Sequence, residues 1–128
     1  MAKHSRLKLH DILVSIMAES KLWEWDPFNF YTGVIPDEIL KEAKTRVYFQ
    51  PPENVLLKYP CIIYHVLNGD SIYADNIPYR STTRYQITII DRDPDSEIRD
   101  RVAKLRMCTW DRSFRQKDLN HDIFNLYF

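Results

Sequence analysis

The residues best suited to chemistry are three alternating carboxylates, Asp91, Asp93 and Asp95. Alternating acids open calcium loops of the EF-hand kind, which also need glycine at the sixth position and a bidentate glutamate at the twelfth. Counted from Asp91, those positions hold Ser96 and Val102, so the pattern breaks at both. The competing use of these acids is to end a strand and open a helix, where the N-terminal dipole favours negative charge. The chemical alternative is a small metal-dependent phosphoryl-transfer enzyme built on the same three side chains. His4, His10, His65 and His121 lack the paired spacing of a zinc site. His65 falls in a strand as a structural imidazole, and Asn120-His121-Asp122 reads as turn chemistry before the last strand. No G-x-S-x-G nucleophile elbow occurs. Cys61 and Cys108 lie far apart and read as buried, reduced thiols. The expectation is therefore a protein with no catalytic residue, no metal and no cofactor.

Composition narrows the class. Eighteen basic residues balance eighteen acidic ones, whereas proteins that grip phosphate backbones or anionic membranes carry an excess of Lys and Arg. The late basic cluster of Arg99, Arg101, Lys104, Arg106, Arg112, Arg115 and Lys117 is interleaved with Asp100, Asp111 and Asp118. It reads as a solvated or interface surface rather than a nucleic-acid groove. Only Gly33 and Gly69 are available for close backbone approach, which nearly excludes nucleotide-loop enzymes. No apolar run is long enough for a signal peptide core or a membrane span, so synthesis in the cytoplasm without export is expected. The 128 residues suit one domain, and 45% hydrophobic content with 13% aromatic supplies a core.

The elements that must position these residues follow from periodicity. Leu9, Ile12, Leu13, Ile16 and Met17 form a helical stripe over Arg6 to Glu19, with Ser5 as its cap. Residues 21–44 form an insert: an aromatic ordered loop around Trp23, Trp25, Phe28, Phe30 and Tyr31, then a short helix opened by Pro36-Asp37-Glu38. Val47 to Gln50 reads as a strand stopped by Pro51-Pro52, and Cys61 to Leu67 as a strand closed by an Asn68-Gly69 turn. Ser71 to Arg80 extends away from the sheet. Thr82 to Asp91 alternates Tyr85, Ile87 and Ile89 against Gln86 and Thr88, the pattern of a half-buried strand. Pro94 then opens a helix with Ile98, Val102 and Leu105 inside. Met107 to Arg112 and the alternation Phe124, Leu126, Phe128 give two more strands, the last tied into the sheet. The sum is a single α+β domain over residues 1–128: a small antiparallel or mixed sheet packed with two main helices, carrying an extended hairpin.

Several stretches together resemble a known family. They are Val47-Tyr48-Phe49-Gln50-Pro51-Pro52, Lys58-Tyr59-Pro60-Cys61-Ile62, Tyr73-Ala74-Asp75-Asn76 with Pro78-Tyr79, Arg84 to Asp91 with Pro94-Asp95-Ser96, and Asn120 to Phe128. In order and spacing they resemble the tail completion, or tail terminator, proteins of siphophages. The resemblance covers the first helix and the chain from Thr45 onward; the insert at 21–44 departs from it. It implies a non-enzymatic virion protein, a hexameric ring made in the bacterial host cytoplasm. Such a ring caps the tail tube protein and meets the head-neck connector protein, with DNA passing through as cargo and no membrane involved. On that reading Tyr73, Asp75, Asn76, Tyr79 and Arg80 sit on a hairpin that reaches the next subunit, where exposed tyrosine is a common interface device. Two rivals differ from it in role: a head-side connector or stopper protein, and a nucleic-acid-binding module.

Overall fold

A computed structural model describes the backbone of residues 2–27, 35–74 and 77–128, and the side chains of 6–27, 35–67 and 83–128. Helix α1 (Ala2–Trp25) leads to α2 (Asp37–Lys44), and strand β1 (Val47–Phe49) follows. A long hairpin of β2 (Cys61–Ala74) and β3 (Ile77–Asp91) comes next, then α3 (Glu97–Ala103) and a second hairpin of β4 (Cys108–Gln116) and β5 (Leu119–Tyr127). The five strands form one mixed sheet in the order β1-β2-β3-β5-β4, with β1 parallel to β2 and the other pairs antiparallel. The fold is α+β.

Alternation along the strands decides what faces the helices. Ile62 and Tyr64 of β2 pair with Ile89 and Ile87 of β3, and Ile87 and Tyr85 pair with Phe124 and Leu126 of β5. These side chains form one buried cluster with Leu9, Leu13, Met17 and Leu22 of α1, Ile39 and Ala43 of α2, and Ile98 and Val102 of α3. Each large aliphatic or aromatic group removed from water there contributes roughly 1.5–3 kcal/mol. The helices thus cover one face. On the other face Cys61, Ile90 and Ile123 are also buried. The connection from β1 to β2 is pinned beside that face, because the Tyr48 hydroxyl, in register with Ile63, accepts the Lys58 N–H at 3.1 Å.

Charged contacts tie the layers at their rims. Arg46 donates to Glu42 Oε1 at 3.0 Å and to the Tyr59 carbonyl at 2.7 Å, and its guanidinium lies 5.0 Å from the Trp25 ring centroid. Arg101 bridges Glu97 of α3 at 3.0 Å and Glu19 of α1 at 2.9 Å.

Several sequence expectations are corrected. The first helix does not stop at Glu19. Ala18, Leu22 and Trp25 continue its stripe at helical spacing, so residues 21–25 are helix rather than loop, and Ser5 lies inside the helix instead of capping it. Phe28, Phe30, Tyr31 and Gly33 lie outside the described residues. Pro36 stands at the N-cap of α2 and not at its first turn. Asn68-Gly69 is not a turn: β2 runs through it, absorbing Leu67 as a bulge between Val66 and Asn68. The segment from Ser71 to Arg80 does extend beyond the neighbouring strands, and it does so as paired strand, with Ile72 opposite Arg80 and Tyr73 opposite Pro78. Pro94 does not open α3, which begins at Glu97 with Ser96 at its N-cap. Asn120, His121 and Asp122 lie within β5. The turn before it is Lys117-Asp118, with positive φ of 52° and 63°.

Candidate functional site

The three aspartates are brought to one loop, where two of them serve the backbone. Asp91 Oδ1 accepts the Asp93 N–H at 3.0 Å, and Asp93 Oδ1 accepts the Asp95 N–H at 2.9 Å, two successive Asx turns that lead from β3 towards α3. Asp91 is only 5% exposed, and its other oxygen lies 4.0 Å from Lys21 Nζ of α1. Among the described residues no group of three or more His, Cys, Asp or Glu is placed to hold a metal ion.

The histidines separate. His10 of α1 shares a hydrogen bond of 2.7 Å with the Tyr64 hydroxyl. Burial, helped by the nearby Arg6 guanidinium, pushes its pKa below the ordinary value. His65 lies on the sheet face opposite the helices, in register with Gln86. His121 stacks on Phe114 with centroids 4.5 Å apart. The side chain of His4 is outside the described set. Both thiols are free; burial pushes Cys61 up to about 12 and Cys108 to about 11, so neither is a ready thiolate nucleophile. Cys108 is only partly buried, against the expectation for it.

The arginines of the late basic cluster are paired in part. Arg112 meets Asp111 at 2.8 Å, Arg115 meets Asp118 at 3.5 Å and Arg99 meets Asp100 at 3.5 Å. This is the interleaved charge pattern of the sequence made into contacts.

Two features leave strand backbone without a neighbouring strand among the described residues. The first is the β2–β3 hairpin. Its partner strands end early: β1 pairs only as far as Tyr64, and β5 with Phe128 only as far as Thr83. Beyond Thr83 the hairpin projects, with no further strand beside it among the described residues, as a two-stranded ribbon of six residues on β3, roughly 20 Å at strand rise. Tyr73, Tyr79 and Arg80 lie on this ribbon, Tyr73 and Arg80 within paired positions. Asp75 and Asn76 lie outside the described residues.

The second feature is the β4 edge, which the sequence reading missed. Among the described strands β4 pairs only with β5, so its outer row of backbone groups is open. Trp110 is 61% exposed and Phe114 44% exposed, on opposite faces of this strand. Between α3 and β4 lies a cleft of about 380 Å³, bordered by Arg99, Asp100, Trp110, Ser113 and Asp122. Within it the Trp110 indole N–H donates to Ser113 Oγ at 2.9 Å, and the Ser113 hydroxyl donates to Asp122 Oδ1. The available signal was a strand with aromatic residues four apart among charges, followed by a strand with one acid, Asp122, just before the apolar Ile123-Phe124.

No helix among the described residues is long and apolar enough to cross a membrane. Comparison of the chain with protein-family models, with curated proteins and with solved structures returned no match.

Proposed function

We infer that this chain is a non-enzymatic subunit of a ring that completes the tail tube of a long-tailed phage and joins it to the neck connector. One observation carries the reading: a projecting hairpin and an open strand edge occur on the same small domain at different elements. Surfaces that differ in this way make head-to-tail contacts, and such contacts close into rings when the rotation between copies allows it. The siphophage terminator resemblance of the strand motifs supplies the virion context. The Asx turns and the free, deactivated thiols lend support to a structural role over a catalytic one. Tail tube and connector proteins are the partners on this reading, six copies form the ring, and DNA is cargo in its lumen.

The test is tail length by electron microscopy in a phage whose copy of this gene is disrupted. Overlong, uneven tails beside separate filled heads are the expected result. Tails of normal length that fail to join heads would move the protein to the connector side of the neck. Intact infectious particles would overturn the reading.

A further inference from the structure

We propose that Asp122, in the cleft between α3 and β4, receives Arg80 from the hairpin of a second copy of this chain. The inference rests on the ring reading and deepens it by naming the contact that joins neighbours.

Asp122 is 5% exposed, and its hydrogen-bond partner is the neutral Ser113 hydroxyl. A carboxylate taken out of water in this way is costly unless a cation or several donors meet it. The cation closest to hand does not serve. Arg99 borders the same cleft, but it donates to the Pro94 carbonyl at 2.9 Å and pairs with Asp100 at 3.5 Å. Trp110 borders the cleft as well, largely exposed and with its indole N–H fixed on Ser113. An aromatic face beside a carboxylate met by a neutral hydroxyl suits a guanidinium, which stacks on the ring and reaches the acid with planar N–H groups.

The occupant follows from charge and reach. From Leu67 to Thr83 the hairpin sequence holds a single Lys or Arg, namely Arg80. It lies on β3 opposite Ile72, within the ribbon that projects beyond β1 and β5. Among the described residues the outer edge of β4 has no strand beside it, so a ribbon can approach the cleft along that edge. Donor and acceptor sit on different elements, so each copy gives one hairpin and receives another.

A double-mutant cycle on the full chain, read by sedimentation of self-association, tests the contact. Asp122→Asn keeps an acceptor for Ser113 and removes the charge; Arg80→Gln removes the cation. Each single change is expected to weaken association about ten-fold or more, with the double variant no weaker than the weaker-binding single. Arg92→Gln, an exposed arginine outside the cleft, is expected to add independently to Asp122→Asn. If Asp122→Asn does not fold, the same cycle between Trp110→Ala and Arg80→Gln decides in its place. Wild-type oligomers that lose affinity additively, or not at all, overturn the contact and leave the ring reading standing. A wild-type chain that stays monomeric at millimolar concentration overturns the contact as a self-sufficient joint between copies, while tail length in the disrupted phage decides the ring reading. Weakening by Asp122→Asn alone, with Arg80→Gln silent, overturns the pairing and assigns the cleft to another basic partner.

Discussion

His10 Nδ1 lies 2.7 Å from the Tyr64 hydroxyl, joining the face of α1 to the first part of β2. The pair sits among aromatic neighbours, with Tyr64 tilted against Phe49 and Tyr85 at centroid distances of 5.0 and 6.1 Å. Burial first, then Arg6, holds the imidazole pKa below its ordinary 6.5; Asp11 opposes them weakly. Burial likewise raises the Tyr64 phenol, so both groups stay neutral near pH 7.

A pH dependence follows. With the folded pKa below the unfolded one, the unfolded chain takes up this proton first as pH falls. The stability contributed by neutral His10 is complete above the unfolded value of 6.5 and is lost as pH drops through the folded one. Thermal unfolding between about pH 7.5 and about pH 5 should show a larger fall in Tm for the wild type than for His10→Gln. Equal falls in both would show that this pair does not carry the dependence.

Arg46 is the hub between the end of α1, α2 and the entry to β2, through Trp25, Glu42 and Tyr59. It is mostly buried, so its charge-assisted bonds escape much of the screening that makes surface pairs worth little. Arg46→Ala is expected to cost about 2 kcal/mol and Arg46→Lys about 1 kcal/mol, since lysine cannot fork or stack in the same way. Denaturant midpoints of the two variants check the order. Equal costs would point to lost charge alone.

The legible parts of the fold are those where one period dominates. The stripe of Leu9, Leu13 and Met17, and the alternation of Tyr85, Ile87 and Ile89, each specify a face, and these residues are buried as expected. What escaped were places where long-range pairing overrides a local signal. Asn68-Gly69 carries strong turn chemistry, yet the ladder from Cys61 to Ala74 passes through it with a bulge. Lys117-Asp118 carries weak turn chemistry and makes the tight turn. The β4 edge was hidden because an edge is a fact of strand order, and strand order is not written in any one segment. Of the hairpin set, Tyr73, Tyr79 and Arg80 fall on the projecting ribbon, while the cleft between α3 and β4 left only a faint trace, Trp110 and Phe114 four apart among charges.

The Lys117-Asp118 turn can be improved. A two-residue connection with both φ values positive is the type I′ geometry, which asparagine followed by glycine adopts with least steric cost. The exposed Arg115–Asp118 pair at 3.5 Å contributes little to offset that cost. Replacing the dipeptide by Lys117→Asn and Asp118→Gly should stabilise the chain by about 1 kcal/mol, seen as a raised Tm. A lowered Tm would mean that the pair with Arg115 outweighs backbone strain.

Phe114 and Phe124 separate folding from assembly. Phe124, 2% exposed, packs among Ile87, Ile98 and Val102, and Phe124→Ala should destabilise by about 3–5 kcal/mol. Phe114, 44% exposed, touches the structure chiefly through its stack on His121, so Phe114→Ala should cost about 1 kcal/mol or less. An aromatic side chain held on an open strand edge loses little in the monomer but much in an interface, where such residues act as anchors. Phe114→Ala is therefore expected to leave Tm nearly unchanged while lowering self-association, and Phe124→Ala to lower both through loss of the fold. If Phe114→Ala instead associates like the wild type, copies do not meet on the Phe114 face of β4, and any contact at this edge is confined to the Trp110 face.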